Sequence, residues 1–507
     1  MSPKMIKLQD EKIWPMRSLH YISAAAVALL TLSLPGGAQE MTLEEVISTA
    51  RTGSVAALAA KSSFVSDYWA WRSYQASRLP SIYLYGELGS FDRSLRLLQS
   101  YETGEMVYTK NYNMQNSVGL QLKQNIPFTG GTVYLYSDLR RIDQFGDSGY
   151  NTWYAQPVTM SYSQPLFAYN QFKWDSLISP KEYEKAKRNY LESMEEVTLS
   201  AVDNYYQLMS AEKVYEASLT NYENTSRMLG IARERLSLGS VTREDYLQLE
   251  LRMLNDSISI NENYVALKKA QMQLNSLLGF DESKEVDPVL DEALPDVLID
   301  YQLVLDKASS NSSFYIGNSI DVLNADAAVA KAKASRGLTM ELSARFGLSN
   351  SASQLPDTYR NLLDQEVVGL TFSIPIFDWG EGKGKVMKAE AAADVVKAEV
   401  EQAENDKRIS LYTAVGQFNN QRRLCDVSRR ARAIAEERYS LVMERFRSGK
   451  ATVTDLNTAR SENDDALSKY IQDLSNYWNY YYTLRKLTLY DFIGGKDLSV
   501  NYEEMVK

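Results

Sequence analysis

The sequence predicts a mixed α+β fold in which one helix-strand-strand-helix unit is used twice. Two observations predict it directly. First, segments recur at two different spacings: Ala76-Ser77-Arg78 returns as Ala334-Ser335-Arg336, a spacing of 258, whereas VTMSYSQPLF from Val158 returns as VGLTFSIPIF from Val368, and RERLSLGSVTRED ending at Asp245 as MERFRSGKATVTD ending at Asp455, both at 210. The order of elements is therefore duplicated, with 48 extra residues between the two strands of the first copy. Second, apolar alternation of period two gives way to long tracts without helix breakers, the change from strand to helix read along a chain.

The elements follow in order. Arg17, the apolar run from Ile22 to Leu34 and the small residues Gly36-Gly37-Ala38 read as a secretory signal over 1–38. Met16 offers an internal start that would leave 1–15 untranslated. The first repeat is then 39–297, with a helix, strands at about 81–91 and 156–164, an inserted hairpin at about 117–140, long helices and a tip at Gly239. The second is 298–492, with a helix, strands at about 338–347 and 366–375, long helices and a tip at Gly449; 493–507 is a tail.

In SIYLYGEL, Ile82, Leu84 and Leu88 alternate with Tyr83, Tyr85 and Glu87, and VGLTFS alternates likewise. One apolar and one polar face suits a half-buried sheet or a membrane barrel. Pro165 and Pro375 mark the strand-to-helix transitions, because proline cannot donate to a ladder. From Trp174 to Leu238 only Pro180 and Gly230 interrupt. A helix of that span reaches about 100 Å, too long for an ordinary globular core.

On the return helix, Leu251, Ile258, Val265 and Met272 recur every seven residues, as do Met253, Ile260, Leu267 and Leu274. The two seams are about 200° apart, so the helix has a neighbour on each side, in a closed wall or in a large bundle. At the tips, Gly239 and Gly449 suit the left-handed residue that ends a helix. Arg235 and Arg445 complement the carbonyl ends of the helices. Thr242-x-x-Asp245 and Thr452-x-x-Asp455 read as capping boxes opening the next helices. Capping alone explains both Asp residues; in a ring of copies they would also gather like charges around one axis.

Composition excludes several classes. The chain has 507 residues, a net charge of −10, one histidine and one cysteine. His20 lies in the signal, so the mature chain lacks imidazole, and Cys425 can form neither an intrachain disulfide nor a cysteine cluster. No metal site, cofactor motif or catalytic constellation is expected, and the chain reads as not an enzyme. Interspersed charge without a basic stripe excludes nucleic acid as a partner.

The TLEEVISTA opening from Thr42, the strands ending in Pro-Leu-Phe and Pro-Ile-Phe, and the doubled R-[LF]-x-x-G-x-x-T-x-x-D tip together resemble the TolC family of outer-membrane efflux proteins. The resemblance runs from Met41 to about Tyr490. It implies a homotrimer in the outer membrane, each copy giving four strands to a barrel of twelve and long helices to a tunnel across the periplasm. It implies partners as well: a periplasmic adaptor (membrane fusion) protein and an inner-membrane pump of RND, ABC or MFS type. The function implied is the passive exit duct of a tripartite efflux pump. Alternatives are the outer-membrane component of type I protein secretion and, from another class, a membrane-anchored coiled-coil stalk.

By matching motif positions, Arg235, Gly239, Arg445 and Gly449 would face the adaptor, and Asp245, Phe446 and Asp455 would form the periplasmic gate. Phe446, Ala451 and Thr458 depart from the family pattern of a Tyr, an Arg and a second Asp. An apolar plug from Phe446 above an Asp455 ring would replace the salt-bridged lock; ordinary helix packing is the other reading of Phe446. In the insertion, VGLQLKQNI and TVYLYSDL flank a Pro127–Gly131 turn and read as a hairpin. It could add two transmembrane strands or lie outside the bilayer.

Overall fold

The computed structural model describes residues 39–99, 104–146 and 149–506. The signal reading, His20 and Met16 lie outside the described residues.

The first repeat runs β1 (Gln39–Met41), α1 (Leu43–Gly53), α2 (Val55–Ser77), β2 (Ser81–Gln99), β3 (Met106–Ile126), β4 (Gly131–Gln144), β5 (Tyr150–Leu166), α3 (Gln171–Ser237), α4 (Arg243–Leu278) and β6 (Val286–Pro288). The second runs α5 (Tyr301–Asn311), α6 (Ser313–Arg336), β7 (Thr339–Ala352), β8 (Leu363–Ser373), α7 (Glu381–Arg447) and α8 (Val453–Thr488). The short elements β9 (Tyr490–Asp491), β10 (Lys496–Asp497) and α9 (Tyr502–Met505) close the chain. Three helix pairs are duplicated with equal length: α3 and α7 each have 67 residues, α4 and α8 each 36, and α1 and α5 each 11. A 67-residue helix is about 100 Å long.

The six long strands form one antiparallel sheet in the order β2-β3-β4-β5-β7-β8. The inserted hairpin is thus internal to the sheet. It separates β2 from β5, the two strands that the repeat makes equivalent to β7 and β8. Two sequence expectations change here. The segments between the strands expected at about 81–91, 117–140 and 156–164 are, among their described residues, mostly strand, because the β2–β3 ladder continues outward from Ser90↔Gln115 to Gln99↔Met106 beyond a bulge at Glu87/Ser90 and the β4–β5 ladder runs to Gln144↔Tyr150. Gly89 takes φ +72° at that bulge, a conformation open to glycine. And Pro165 does not end its strand: it sits opposite Glu341, one residue short of the end, while Pro375 lies two residues past β8.

Below the sheet the helices form a single layer. Next to the strands the order is α2-α3-α6-α7; towards the tips it is α4-α3-α8-α7. Around the middle of the long helices, α1, the parallel β1–β6 pair, α5 and β9–β10 make a belt over the main hydrophobic core. Tyr205, Phe418, Tyr477 and Tyr481 are fully buried there. Each such ring removed from water contributes about 2–3 kcal/mol. Their polar ends are satisfied: the Tyr205 hydroxyl donates to the Met41 carbonyl at 3.2 Å, and Tyr477 to that of Pro295 at 2.9 Å. Fully buried Glu195 lies between Arg51 at 2.9 Å and Arg485 at 3.1 Å, joining α1, α3 and α8 through one charge.

Cys425 is 3% exposed and its Sγ donates to the Asp473 carbonyl at 3.1 Å. Burial, with Asp473 adding, pushes the thiol up to about 12. Native protein is therefore expected to leave Cys425 unmodified by a maleimide that reacts fully after unfolding; rapid native labelling, read by mass spectrometry, would contradict this packing.

A second prediction concerns pH. Burial, reinforced by Asp287, raises the Glu212 carboxyl from 4.5 to about 7. A carboxyl whose folded pKa is raised binds its proton more tightly when folded. The resulting stability is present below the unfolded value near 4.5 and is lost as pH rises through about 7. The thermal midpoint should fall across that interval, and Glu212→Gln should flatten the decline. A mutant with an unchanged profile would remove Glu212 as its source.

Candidate functional site

Three features make up the candidate site: the tips, the open edges and the junction between strands and helices. At both tips the same backbone device ends the long helix. Gly239 (φ +67°) donates to the Leu236 carbonyl at 3.1 Å and Ser240 to that of Arg235 at 3.0 Å. Gly449 (φ +76°) donates to Phe446 at 3.0 Å and Lys450 to Arg445 at 2.8 Å. This paired bonding to the last carbonyls requires the left-handed residue that glycine supplies without strain.

The next helices begin alike but not identically. Thr452 completes a capping box: its hydroxyl accepts from the Asp455 N–H at 3.1 Å, and its own N–H donates to Asp455 Oδ2 at 2.9 Å. At the first tip, the Thr242 hydroxyl accepts from the Asp245 N–H at 3.1 Å and donates to Asp245 Oδ2 at 2.6 Å. That cap is the side-chain half of the box expected from sequence. The Thr452 N–H first, then its hydroxyl, hold the Asp455 carboxyl below its ordinary value, with Arg445 and Arg438 adding. Asp455 is exposed and Asp245 half-buried.

Arg235 does more than face the carbonyl end of its own helix. Its guanidinium crosses to the other tip and donates to the carbonyls of Phe446 at 3.3 Å and Arg447 at 2.6 Å. It caps α7 from α3 and lies against Gly449. Arg445 stays local, donating to the Lys450 carbonyl at 3.4 Å. Phe446 is 7% exposed and packs with Met228, Ala232, Leu249, Val453 and Leu456. Within one copy it joins the two hairpins instead of standing free, so the packing reading replaces the plug.

One cluster escaped the sequence reading. Arg460 of α8 grips Asp256 of α4 with both terminal nitrogens, at 2.9 and 3.1 Å, while Thr225 of α3 donates to Asp256 at 2.6 Å. Asp464 lies 3.7 Å from Arg460 and accepts from Asn221 at 3.1 Å. Burial raises the Asp464 carboxyl, partly offset by Arg460. Asp256 occupies the heptad position seven residues after buried Leu249, and a charge within an apolar seam was the available signal.

The wall has two unfilled flanks. Of the two α4 seams, Leu274 is fully buried within the copy, while Leu251, Ile258, Val265 and Met272 are 48–67% exposed. On the opposite flank, α7 exposes Val427, Ile434 and Leu441 at the same heptad spacing. The sheet is likewise open at β2 and β8. At the strand-helix junction, Phe128, Phe167, Ile376, Phe377 and Trp379 are each at least 70% exposed. Exposed aromatics at one level are the signature of a membrane interface. Among the described residues no helix is long and apolar enough to cross a membrane, and no group of His, Cys, Asp and Glu is arranged to hold a metal.

Comparison with known proteins agrees with this geometry. Residues 319–488, from α6 through α8, match the family model described as outer membrane efflux protein. No curated protein sequence matches the chain. Among solved structures, the chain is similar to the Campylobacter jejuni CmeC outer membrane channel, with a TM-score of 0.65, 16% identity, and coverage of 91% of this chain and 88% of that one. It is similar to the outer-membrane channel OprN, at 0.61 with 17% identity and 90% of each chain. It is also similar to the Vibrio cholerae outer membrane protein VceC, at 0.61 with 14% identity, covering 89% of this chain and 96% of that one. The stretch from α6 through α8 thus matches the outer membrane efflux protein family model, and the whole chain has the fold of the outer-membrane channels to which it is similar. The resemblance drawn from the tips and strand endings is borne out.

Removing Arg460 leaves buried Asp256 with only Arg252, whose Nε lies 3.4 Å away, beside it. Arg460→Ala should cost about 3 kcal/mol, the usual penalty for breaking a buried pair. Hydrogen exchange should report the loss in the tip halves of α3, α4 and α8 and leave the belt unchanged. Uniform exchange relative to wild type would show that the pair is not supporting the tips.

Proposed function

We propose that three copies of this chain close head to tail into an outer-membrane channel continuous with a periplasmic helical tunnel, the passive exit duct of a tripartite efflux pump. The supporting observation is that each layer ends in complementary open flanks. The first repeat supplies one edge of each layer (β2, α2, α4) and the second repeat the other (β8, α7), so one copy's end can meet the next copy's beginning. Such a heterologous contact generates a closed ring when the rotation closes. An open strand edge in lipid is not tolerated, which makes the ring obligatory in a membrane. The exposed α4 seam needs a partner on the wall and would be superfluous on a solid two-helix stalk.

The periplasmic adaptor would engage the tips at Gly239 and Gly449, with Arg235 and Arg445 at the helix ends behind them. Exposed Asp455, with Asp245 near it in the ring, would narrow the tunnel by gathering like charge about the axis. Buried Phe446 sets the spacing of the hairpins that carry them. The inner-membrane partner, of RND, ABC or MFS type, supplies the energy. Small molecules are the cargo this reading favours; type I secretion would use the same wall.

Purified mature protein in planar bilayers is expected to give small single-channel steps that grow in Asp455→Ala, with Arg235→Ala opening more frequently because the two tips are no longer stapled. Absence of conductance from verified, folded oligomers of all three proteins would reject the duct.

A further inference from the structure

We infer that the inserted hairpin β3–β4 is part of the transmembrane wall, so that each copy contributes six strands and the closed barrel has eighteen. The inference rests on the ring closure proposed above, but its central claim, that the wall is half as wide again as the duplicated four-strand frame, does not depend on the number of copies.

Four observations carry it. First, the hairpin is paired along both sides, to β2 and to β5, and cannot leave the sheet without unpairing both. Second, the apolar face is continuous across it. Ile82, Leu122, Leu135, Met160 and Phe346 stand opposite one another in a row through five strands. Leu135, Met160 and Phe346 are 43–47% exposed and Ile82 71% exposed, as lipid-facing side chains are in an isolated copy. Third, the opposite face is continuous and mainly polar: the adjacent row is Tyr83, Gln121, Tyr136, Thr159, Gly347 and Gln365. On this face Tyr85 lies over Gly119, where a Cβ would come within 2.5 Å of its ring, and donates to Asp138 two strands away at 3.4 Å. A hairpin outside the bilayer would need neither the apolar row nor the polar one.

Fourth, the Pro127–Gly130 turn is fastened at the level where the other strands become helices. Asn170 caps α3 by accepting from the Lys173 N–H at 3.1 Å and also donates to the Pro127 carbonyl at 3.1 Å. Gln164 donates to the Thr129 carbonyl at 2.8 Å, and Gln124 to that of Arg78 at 3.0 Å. Phe128, 93% exposed at the turn, joins Phe167 and Trp379 in the junction girdle. The short turn therefore faces the helices and the long strand extensions face outward, as membrane barrels are wired.

Width gives an independent reason. Strands about 4.8 Å apart and tilted about 40° each occupy about 6.3 Å of perimeter, so six span about 38 Å and four about 25 Å. The four helices beneath, α2, α3, α6 and α7, span about 40 Å at about 10 Å each. Six strands match the span of the helical wall. For three copies the backbone diameter becomes about 36 Å instead of about 24 Å.

The test uses the full mature chain in liposomes with single cysteines, buried Cys425 serving as a silent background. Leu120→Cys and Gln121→Cys probe the two faces of β3; Leu370→Cys and Thr371→Cys are matched controls on β8. A charged, water-soluble thiol reagent is expected to label Gln121→Cys and Thr371→Cys, with labelling lost at Leu120→Cys and Leu370→Cys, whose attached fluorophores should instead be quenched by brominated lipid. Equal labelling at 120 and 121 beside a normal difference at 370 and 371 would overturn the inserted strands and leave the duct standing. Loss of the difference at the β8 controls as well would reject the membrane barrel itself. A strand count from electron cryomicroscopy in nanodiscs gives a mutation-free reading: eighteen supports the inference, twelve refutes it.

Discussion

The structure depends on one unmet demand: backbone and apolar groups at the two flanks of a wall one layer thick. A single layer of helices buries side chains only against its neighbours to left and right, so the end helices have half their partners missing. In this chain the vacancy is systematic. It falls on β2 and β8 in the sheet, on α2 and α7 beside it, and on α4 and α7 at the tips. An ordinary globular protein would fold the sheet onto a second layer. Here the 67-residue helices α3 and α7 stand in one layer, with no second layer over them beyond the mid-height belt among the described residues.

Interactions within the copy serve to hold that layer flat enough to be completed. The belt does this at mid-height through large aromatic side chains and the Glu195 pairs, which tie α1, α3 and α8. Near the tips, where the helices lack a belt, the Arg460–Asp256 grip and the crossing Arg235 cap join the small apolar cluster around Phe446. The polar character of these lower ties has a physical meaning. Buried charge pairs add little net stability over apolar contacts but specify one arrangement, since every misalignment leaves a charge unpaired. A tip held by such pairs is ordered and yet can exchange one set of partners for another, which an interdigitated apolar core does not do readily.

Most of this architecture was legible in the sequence because duplication compares the chain with itself. The spacing of 210 residues between Gly239 and Gly449 fixed both tips, and the unequal spacing upstream located the insertion. The two seams of α4 foretold two neighbours, and the structure shows which is which: Leu274 faces inside the copy and Val265 outside it. What stayed hidden was long-range or side-chain specific. No local pattern says that Arg235 caps the other hairpin, since its target is a pair of backbone carbonyls 211 and 212 residues away. Phe446 had the same ambiguity: an apolar residue in the last helical turn can point to an axis or to a neighbour, and only packing decides. The outer halves of β2 and β3 were missed because Asp92, Arg93 and Arg96 break the apolar alternation, although beyond the bilayer a strand needs a paired ladder and no apolar face.

The two tips, nearly identical in sequence, are not equivalent, and the difference has a direction. The second has a complete capping box and receives the Arg235 cap from its neighbour; the first has only the side-chain half of its box and gives away its arginine. Within one copy, α8 thus begins at the more firmly fixed turn, whereas α4 begins at the less constrained one and also carries the exposed apolar seam. If the ring opens by sliding one hairpin past another, the weaker cap and the intercopy seam are on the same helix pair. Movement of α3–α4 would then disturb the contact between copies while α8 keeps its Thr452–Asp455 capping box, once Arg235 has released the Phe446 and Arg447 carbonyls. The staple across the tips, more than the charge at Asp455, would be the first bond that opening has to break.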